Sequence, residues 1–207
     1  MPLFYQQHIN EYTKLAIWKI EESEDFFAET VPLQSKITHP HKRLQHLAGR
    51  YLLLYLFPSF PYSEILIADT RKPYLSNDAF HFSISHCKDY AAAIVSTKER
   101  VGIDIEISQT KIETIAHKFT TKEEINNVQY LMNPKNNQLF NQLTLIWCCK
   151  ETMFKWYGLG NIDFKTMLKV IEYNGHIHST IKIDNTIISL PIMHIIFKKI
   201  ILTFAHQ

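Results

Sequence analysis

The chain has 207 residues, 46% of them hydrophobic, with 22 Lys and Arg against 20 Asp and Glu for a formal charge of +2. That length supports one sizeable core or two smaller ones packed together, while so small a charge with no long Lys/Arg run gives no basis for nucleic-acid binding. The segments richest in apolar residues, 51–60 and 187–204, are interrupted by Pro58 and by Pro191, His194, Lys198 and Lys199, so no membrane span is expected, and without a secretory leader a cytoplasmic protein is expected.

A strand is predicted near 14–20, followed by an acidic stretch from Glu21 to Glu29. Thr38-His39-Pro40 has the form of an N-cap and early-turn proline and opens a helix to about Leu56. Leu44, Leu47, Tyr51, Leu54 and Tyr55 form its expected buried stripe. Short strands are predicted near 64–68, 80–85 and 90–96, with turn-forming Pro73, Asn77 and Asp78 between them. The charged turn Lys98-Glu99-Arg100 closes a first half, 1–100, and leads into a second, 101–207.

The second half opens with VGIDIEI, a strand in which Val101, Ile103, Ile105 and Ile107 share one face and Gly102, Asp104 and Glu106 the other. The two carboxylates stand ~6–7 Å apart at the strand rise. They either face water on a half-buried strand or serve one cation together. Helices are predicted near 111–118, 122–132 and 136–157. The last has Leu139, Leu143, Ile146, Phe154 and Tyr157 for its core stripe and stops at Gly158 and Gly160. Trp147, Glu151 and Lys155 recur at i, i+4, i+8, so the carboxylate and ammonium point the same way. That is either an ordinary surface pair or part of a site. Thr120 with Glu123 has capping-box spacing, which competes with an active-site role for Glu123. Strands near 165–172, 176–183 and 193–204 complete an α+β pattern with small, mostly antiparallel sheets. Cys87, Cys148 and Cys149 lack zinc spacing, and a reduced structural role is expected.

GIDIE at 102–106, FTTKE at 119–123 and WCCKETMFK at 147–155, with FSISH at 82–86 before them, resemble in order and spacing the signature segments of the 4′-phosphopantetheinyl transferase superfamily. The resemblance is to the surfactin-synthetase-activating type, in which one chain carries two similar α+β halves related by a pseudo-twofold, with the active site in the cleft between them. It implies transfer of the phosphopantetheine arm of coenzyme A to a serine of an apo acyl or peptidyl carrier protein. By motif position, Asp104, Glu106 and Glu151 would hold Mg²⁺, or Mn²⁺ in its place. Glu151 would also take the serine proton and Lys155 would contact phosphate. His86 matches the position that meets the 3′-phosphate of coenzyme A, with Ser85 beside it. Lys72-Pro73 resembles a Gly-Lys-Pro turn at the nucleotide, with Arg71 in place of the glycine. Arg43 is the expected phosphate-binding arginine of the first long helix, ahead of Arg50. Trp147 is expected to brace the Glu151 helix, and Ile115, Lys118, Met153 and Phe154 to offer contacts to a helical, acidic carrier. A monomer is expected. A non-catalytic coenzyme A or nucleotide-binding module and a metal-dependent phosphoesterase are the competing readings.

Overall fold

The computed structural model describes residues 2–32, 37–128 and 138–207. The first half builds a four-stranded antiparallel sheet from β1 (Leu3–His8), β2 (Thr13–Lys19), β5 (His81–Cys87) and β6 (Tyr90–Ser96), in the order β1-β2-β6-β5. Between these come α1 (Glu24–Ala28), α2 (Pro40–Leu56) and the small hairpin β3 (Leu66–Ile67) with β4 (Pro73–Tyr74). The second sheet has the order β7-β11-β10-β9-β8, from β7 (Val101–Ile107), β8 (Leu168–Tyr173), β9 (His176–Ile183), β10 (Thr186–Phe197) and β11 (Ile200–His206), again antiparallel throughout. Helices α3 (Ala116–Phe119), α4 (Lys122–Val128) and α5 (Leu139–Tyr157) lie between β7 and β8.

Burial explains the layering. On one face of the first sheet, Ala16, Trp18, Ala91, Ala93 and Val95 pack under Leu47, Leu52, Leu53 and Leu56 of α2. On its other face, Leu15, Ile17, Ala92 and Ile94 meet Val101, Ile103, Ile105, Leu202 and Phe204 of the second sheet. The far side of the second sheet is closed by Leu145, Cys149, Met153 and Trp156 of α5. Central strands covered on both faces read as continuous apolar runs, as AAAIV at 91–95 does. Both α5 cysteines, Cys148 and Cys149, are buried, and all three thiols are free.

Several elements depart from the sequence prediction. The strand expected over 193–204 is two strands: Phe197 pairs with Ile200 across a Lys198-Lys199 turn, with Lys198 in left-handed backbone at φ 52°. Pro191 interrupts nothing, because it pairs only with β9, while β11 joins β10 from Met193 onward and demands no amide from it. β1 was not foreseen, since an edge strand rich in Gln6, Gln7 and His8 carries little apolar signal. The helix over 111–118 is a 3₁₀ segment, Thr110–Ile115, continued by the single turn of α3. The region near 64–68 is mostly a 3₁₀ turn, Tyr62–Glu64, before the two residues of β3. α2 is capped at His39 rather than Thr38, and its buried residues include Leu52, Leu53 and Leu56, while Tyr55 is exposed. The expected ends of two helices, Met132 and Asn136, lie outside the described residues.

The capping box is real but one residue later than predicted. Thr121 Oγ1 accepts from the Glu124 amide at 3.3 Å and Glu124 Oε2 accepts from the Thr121 amide at 3.2 Å, whereas Glu123 is exposed. Glu124 is buried because it also receives Lys150, whose ammonium lies 2.8 Å from Oε1 and donates to the carbonyls of Phe119 and Phe164 at 2.7 and 2.8 Å. Oε1 of Glu124 further accepts from the Val170 amide at 3.1 Å. One ion pair thus ties α4, α5 and the start of β8 together.

Gly102 sets how closely α5 crosses β7. A Cβ there would fall 2.4 Å from the Thr152 carbonyl oxygen and 2.9 Å from Trp156 Cβ. Neither can swing aside without moving the helix. Gly102→Ala should therefore lose about 1–3 kcal/mol and lower the thermal midpoint by roughly 5 °C. An unchanged melting curve would contradict this packing.

Candidate active site

α5 lies over the end of β7, and β5 runs beside β7 on the other flank, where Ser83 Oγ accepts from the Ile103 amide at 3.2 Å. Three elements thereby converge on Asp104. Its Oδ1 accepts from Ser85 Oγ at 2.6 Å and from Lys155 Nζ at 2.5 Å, and Lys155 also donates to Ser85 Oγ at 2.9 Å. Asp104 is not on a solvated face, because its side chain is only 4% exposed. Its Oδ2 is buried with no hydrogen-bond partner among the described residues. An unpartnered buried carboxylate oxygen costs stability unless a ligand serves it.

Burial would lower the Lys155 ammonium, but adjacent Asp104 and Glu151 outweigh it and hold its pKa above the ordinary value. Glu151 is half-buried, and burial with Asp104 nearby pushes its carboxyl up to about 7, against the opposing pull of Lys155. Glu106 is likewise raised by burial and by Asp104. Its Oε1 accepts from Trp147 Nε1 at 3.2 Å, and Trp147 is itself held between the rings of Phe119 and Phe164, with centroids at 5.1 and 5.5 Å. Trp147 therefore orients a carboxylate as well as bracing the helix. A contact between residues 41 apart in sequence leaves no local signal. Cys87 also faces this group; burial and Glu106 push its thiol up to about 12, so it stays protonated.

The remaining candidates surround this centre. Lys72 does not project freely: its ammonium donates to the Lys155 carbonyl at 2.7 Å, and burial with nearby Arg100 brings its pKa down to about 8. Arg71, in the place of a glycine, adopts left-handed backbone at φ 65°, the geometry glycine would take without strain. Pro73 follows it in β4. Arg43 is bound to Glu24 at 2.5 Å and to the Ile37 carbonyl at 2.9 Å. Arg50 is buried with Nη1 unpartnered among the described residues, and His46, one turn before it on α2, is pushed down to about 4 by burial, Arg50 and His86. The i, i+4 spacing of His46 and Arg50 is a sequence signal that the expectations above did not use. His86 lies at the exposed end of β5, next to Ser85. Met153 is fully buried and offers no surface to a partner, whereas Ile115 is 37% exposed and Lys118 is exposed.

A cleft of about 230 Å³ runs between Arg71, Lys72 and Pro73 on one wall and Phe154, Lys155 and Gly158 on the other. A second hollow of about 250 Å³ is walled by Glu106, Lys111, Ile115 and Trp147. Among the described residues, no three His, Cys, Asp or Glu side chains are already gathered as metal ligands. The donor set nevertheless suits a hard divalent cation, which prefers oxygen ligands and retains water between itself and some of them. Asp104 Oδ2 lacks a partner among the described residues, and Glu106 and Glu151 are both raised by burial and by the nearby charge of Asp104.

Clustered carboxylates, a lysine on the same helix face and an adjoining cleft form a site suited to phosphate-bearing substrates held with a divalent cation. Residues 100–190 match the 4′-phosphopantetheinyl transferase superfamily. The chain is 30% identical over 135 residues to a Haemophilus influenzae protein named "Putative 4'-phosphopantetheinyl transferase", covering 62% of this chain and 55% of that one. It is 30% identical over 120 residues to enterobactin synthase component D of Salmonella typhi, covering 56% of this chain and 49% of that one. The chain thus matches about half the length of these curated relatives. No helix among the described residues is long and apolar enough to cross a membrane.

The raised Glu151 pKa fixes a sign. With the folded-state value near 7 against 4.5 ordinarily, the folded protein binds the extra proton between those pH values. The stability that protonated Glu151 contributes is therefore present below pH 4.5 and is lost as pH rises through 7. In chelator-treated protein, Glu151→Gln should melt above wild type at pH 8, by roughly 1–3 kcal/mol, and the gap should close toward pH 5. Equal melting temperatures at pH 8 would show that Glu151 is not held near its neighbours' charges.

Proposed function

We propose that the protein transfers the 4′-phosphopantetheine group of coenzyme A to a serine of an apo acyl or peptidyl carrier protein, releasing adenosine 3′,5′-bisphosphate. The observation that carries this reading is the joint of Asp104, Ser85 and Lys155, with an unpartnered Asp104 oxygen; Asp104 and Lys155 fall inside the segment that matches the superfamily, and Ser85 reaches them from the first half. The surfactin-synthetase-activating organisation, two α+β halves related by a pseudo-twofold, belongs to the same proposal. It is supported by Ser85 and His86 coming from one sheet while Asp104, Glu106, Glu151 and Lys155 come from the second sheet and α5. We assign the protein to the cytoplasm and to the monomeric state.

Asp104, Glu106 and Glu151 would hold Mg²⁺, or Mn²⁺ in its place, and the bound ion would neutralise charge on the pyrophosphate of coenzyme A. Lys155 supplies a fixed positive charge to the phosphate, kept protonated and aimed by Asp104 and Ser85. Glu151 takes the proton of the attacking serine hydroxyl. The serine oxygen then bonds to the phosphorus bearing the pantetheine arm, and the bond to the adenosine bisphosphate oxygen breaks. The 230 Å³ cleft at Lys72-Pro73 receives the nucleotide, with His86 at the 3′-phosphate. Arg43, whose Nε is engaged by Glu24, would join that contact through its remaining guanidinium donors. Ile115, Lys118 and the adjoining hollow face the carrier.

Incubation with coenzyme A, Mg²⁺ and a panel of apo-carriers should release adenosine 3′,5′-bisphosphate only when a carrier with its serine intact is present. Release without any carrier would identify a phosphoesterase instead. Coenzyme A binding by calorimetry with no release on any carrier would identify a binding module.

A further inference from the structure

A further cavity of about 380 Å³ opens where the β3–β4 hairpin, the beginnings of β5 and β7 and the end of α5 meet; it adjoins the 230 Å³ cleft across Lys72, Pro73, Phe82 and Gly158, which line both. None of Ser85, Asp104, Glu106, Glu151 or Lys155 lines it. Lys72 stands at its border with the nucleotide cleft. The ammonium is pinned to the Lys155 carbonyl, and Gly158, at φ 76°, comes so near that an added Cβ would fall 2.5 Å from Lys72 Nζ. Tyr74, Phe80, Phe82 and Tyr157 contribute aromatic rings to the cavity walls.

Its charge is the second observation. Lys72, Arg100 and His81 line it against a single acid, Asp78. Among the described residues, neither Arg100 nor Lys72 forms a salt bridge; Arg100 instead lies over the Trp156 ring at 5.2 Å. Two cations therefore share one hollow without a bridging carboxylate, and Arg100 adds to burial in lowering the Lys72 pKa. A volume in the ~300–1,000 Å³ range with ring walls and a few convergent charged groups is the usual form of a small-molecule site. Arginine is also the residue best matched to a planar, two-oxygen anion.

We propose that this cavity is a second ligand site, distinct from the coenzyme cleft, for a small planar aromatic anion such as an aryl carboxylate or sulfonate. The ring lies among Tyr74, Phe80, Phe82 and Tyr157, and the charge turns toward Arg100.

The test uses naphthalene-2-sulfonate titrated into the intact protein by calorimetry, with uncharged naphthalene-2-methanol as control. The sulfonate should bind with one-to-one stoichiometry and the alcohol on the order of tenfold more weakly. Arg100→Ala and Leu159→Glu, the latter placing a carboxylate at an exposed wall position, should each weaken the sulfonate by a similar factor. Methyl resonances of Ala68, Leu75, Val101 and Leu159 should shift on binding, while those of Ile84, which lines only the coenzyme cleft, should not. Equal affinity for sulfonate and alcohol, indifference to both substitutions, or shifts centred on Ile84 would each overturn the assignment. These readouts involve neither coenzyme A nor a carrier, so they stand or fall apart from the transferase reading.

Discussion

Replacing Lys150 by methionine is expected to destabilise the protein by about 3–5 kcal/mol, the cost of leaving one member of a buried ion pair without its partner. Lys150 is fully buried, and its removal strands the Glu124 carboxylate together with the carbonyls of Phe119 and Phe164. Urea titration should show the transition midpoint falling without a change in slope. The double variant Lys150→Met, Glu124→Leu should recover part of the loss, because no buried charge then remains unpaired. A single variant as stable as wild type would mean that the pair does not organise α4 and α5 as the structure has it.

The second large effect falls on activity. Lys155→Ala removes an ammonium that touches Asp104, and carrier modification should drop by about 10²–10³-fold, the equivalent of one preorganised electrostatic donor worth ~3–4 kcal/mol. The loss should lie mainly in kcat, since Lys155 is proposed to act on charge that develops during transfer. Lys155→Arg should restore only part of the rate, because a planar guanidinium cannot occupy the 2.5 Å and 2.9 Å contacts to Asp104 and Ser85 in the same way. A folded Lys155→Ala protein with transfer within threefold of wild type would remove lysine from the mechanism.

How much of this was legible in the sequence depends on the range of the interaction. Val101 to Ile107 alternate cleanly and form a strand, and Trp147, Glu151 and Lys155 fall on one helix face because both periodicities are local. The burial of Asp104 was not legible, since it depends on α5 crossing β7 at Gly102. Nor was the Lys150–Glu124 pair, which spans 26 residues and draws the capping box one residue past its expected place. The 193–204 run misled for a different reason. Its turn is built from Lys198 and Lys199 without glycine, proline or asparagine, so the composition gives no punctuation where the backbone reverses. Arg43 fits the helix position expected of a phosphate ligand, yet its pairing with Glu24 could not be read from spacing alone.

Whether the carboxylates gathered around Asp104 support transfer to a carrier serine is decided by the intact mass of an apo-carrier after incubation with coenzyme A and Mg²⁺, using wild-type protein and a folded Asp104→Ala variant side by side. One added phosphopantetheine group per carrier is expected with wild type, none when the metal is chelated, and none with the variant. Modification at a near-normal rate by the folded Asp104→Ala protein, or no modification by wild type of any carrier in a broad panel, would contradict it.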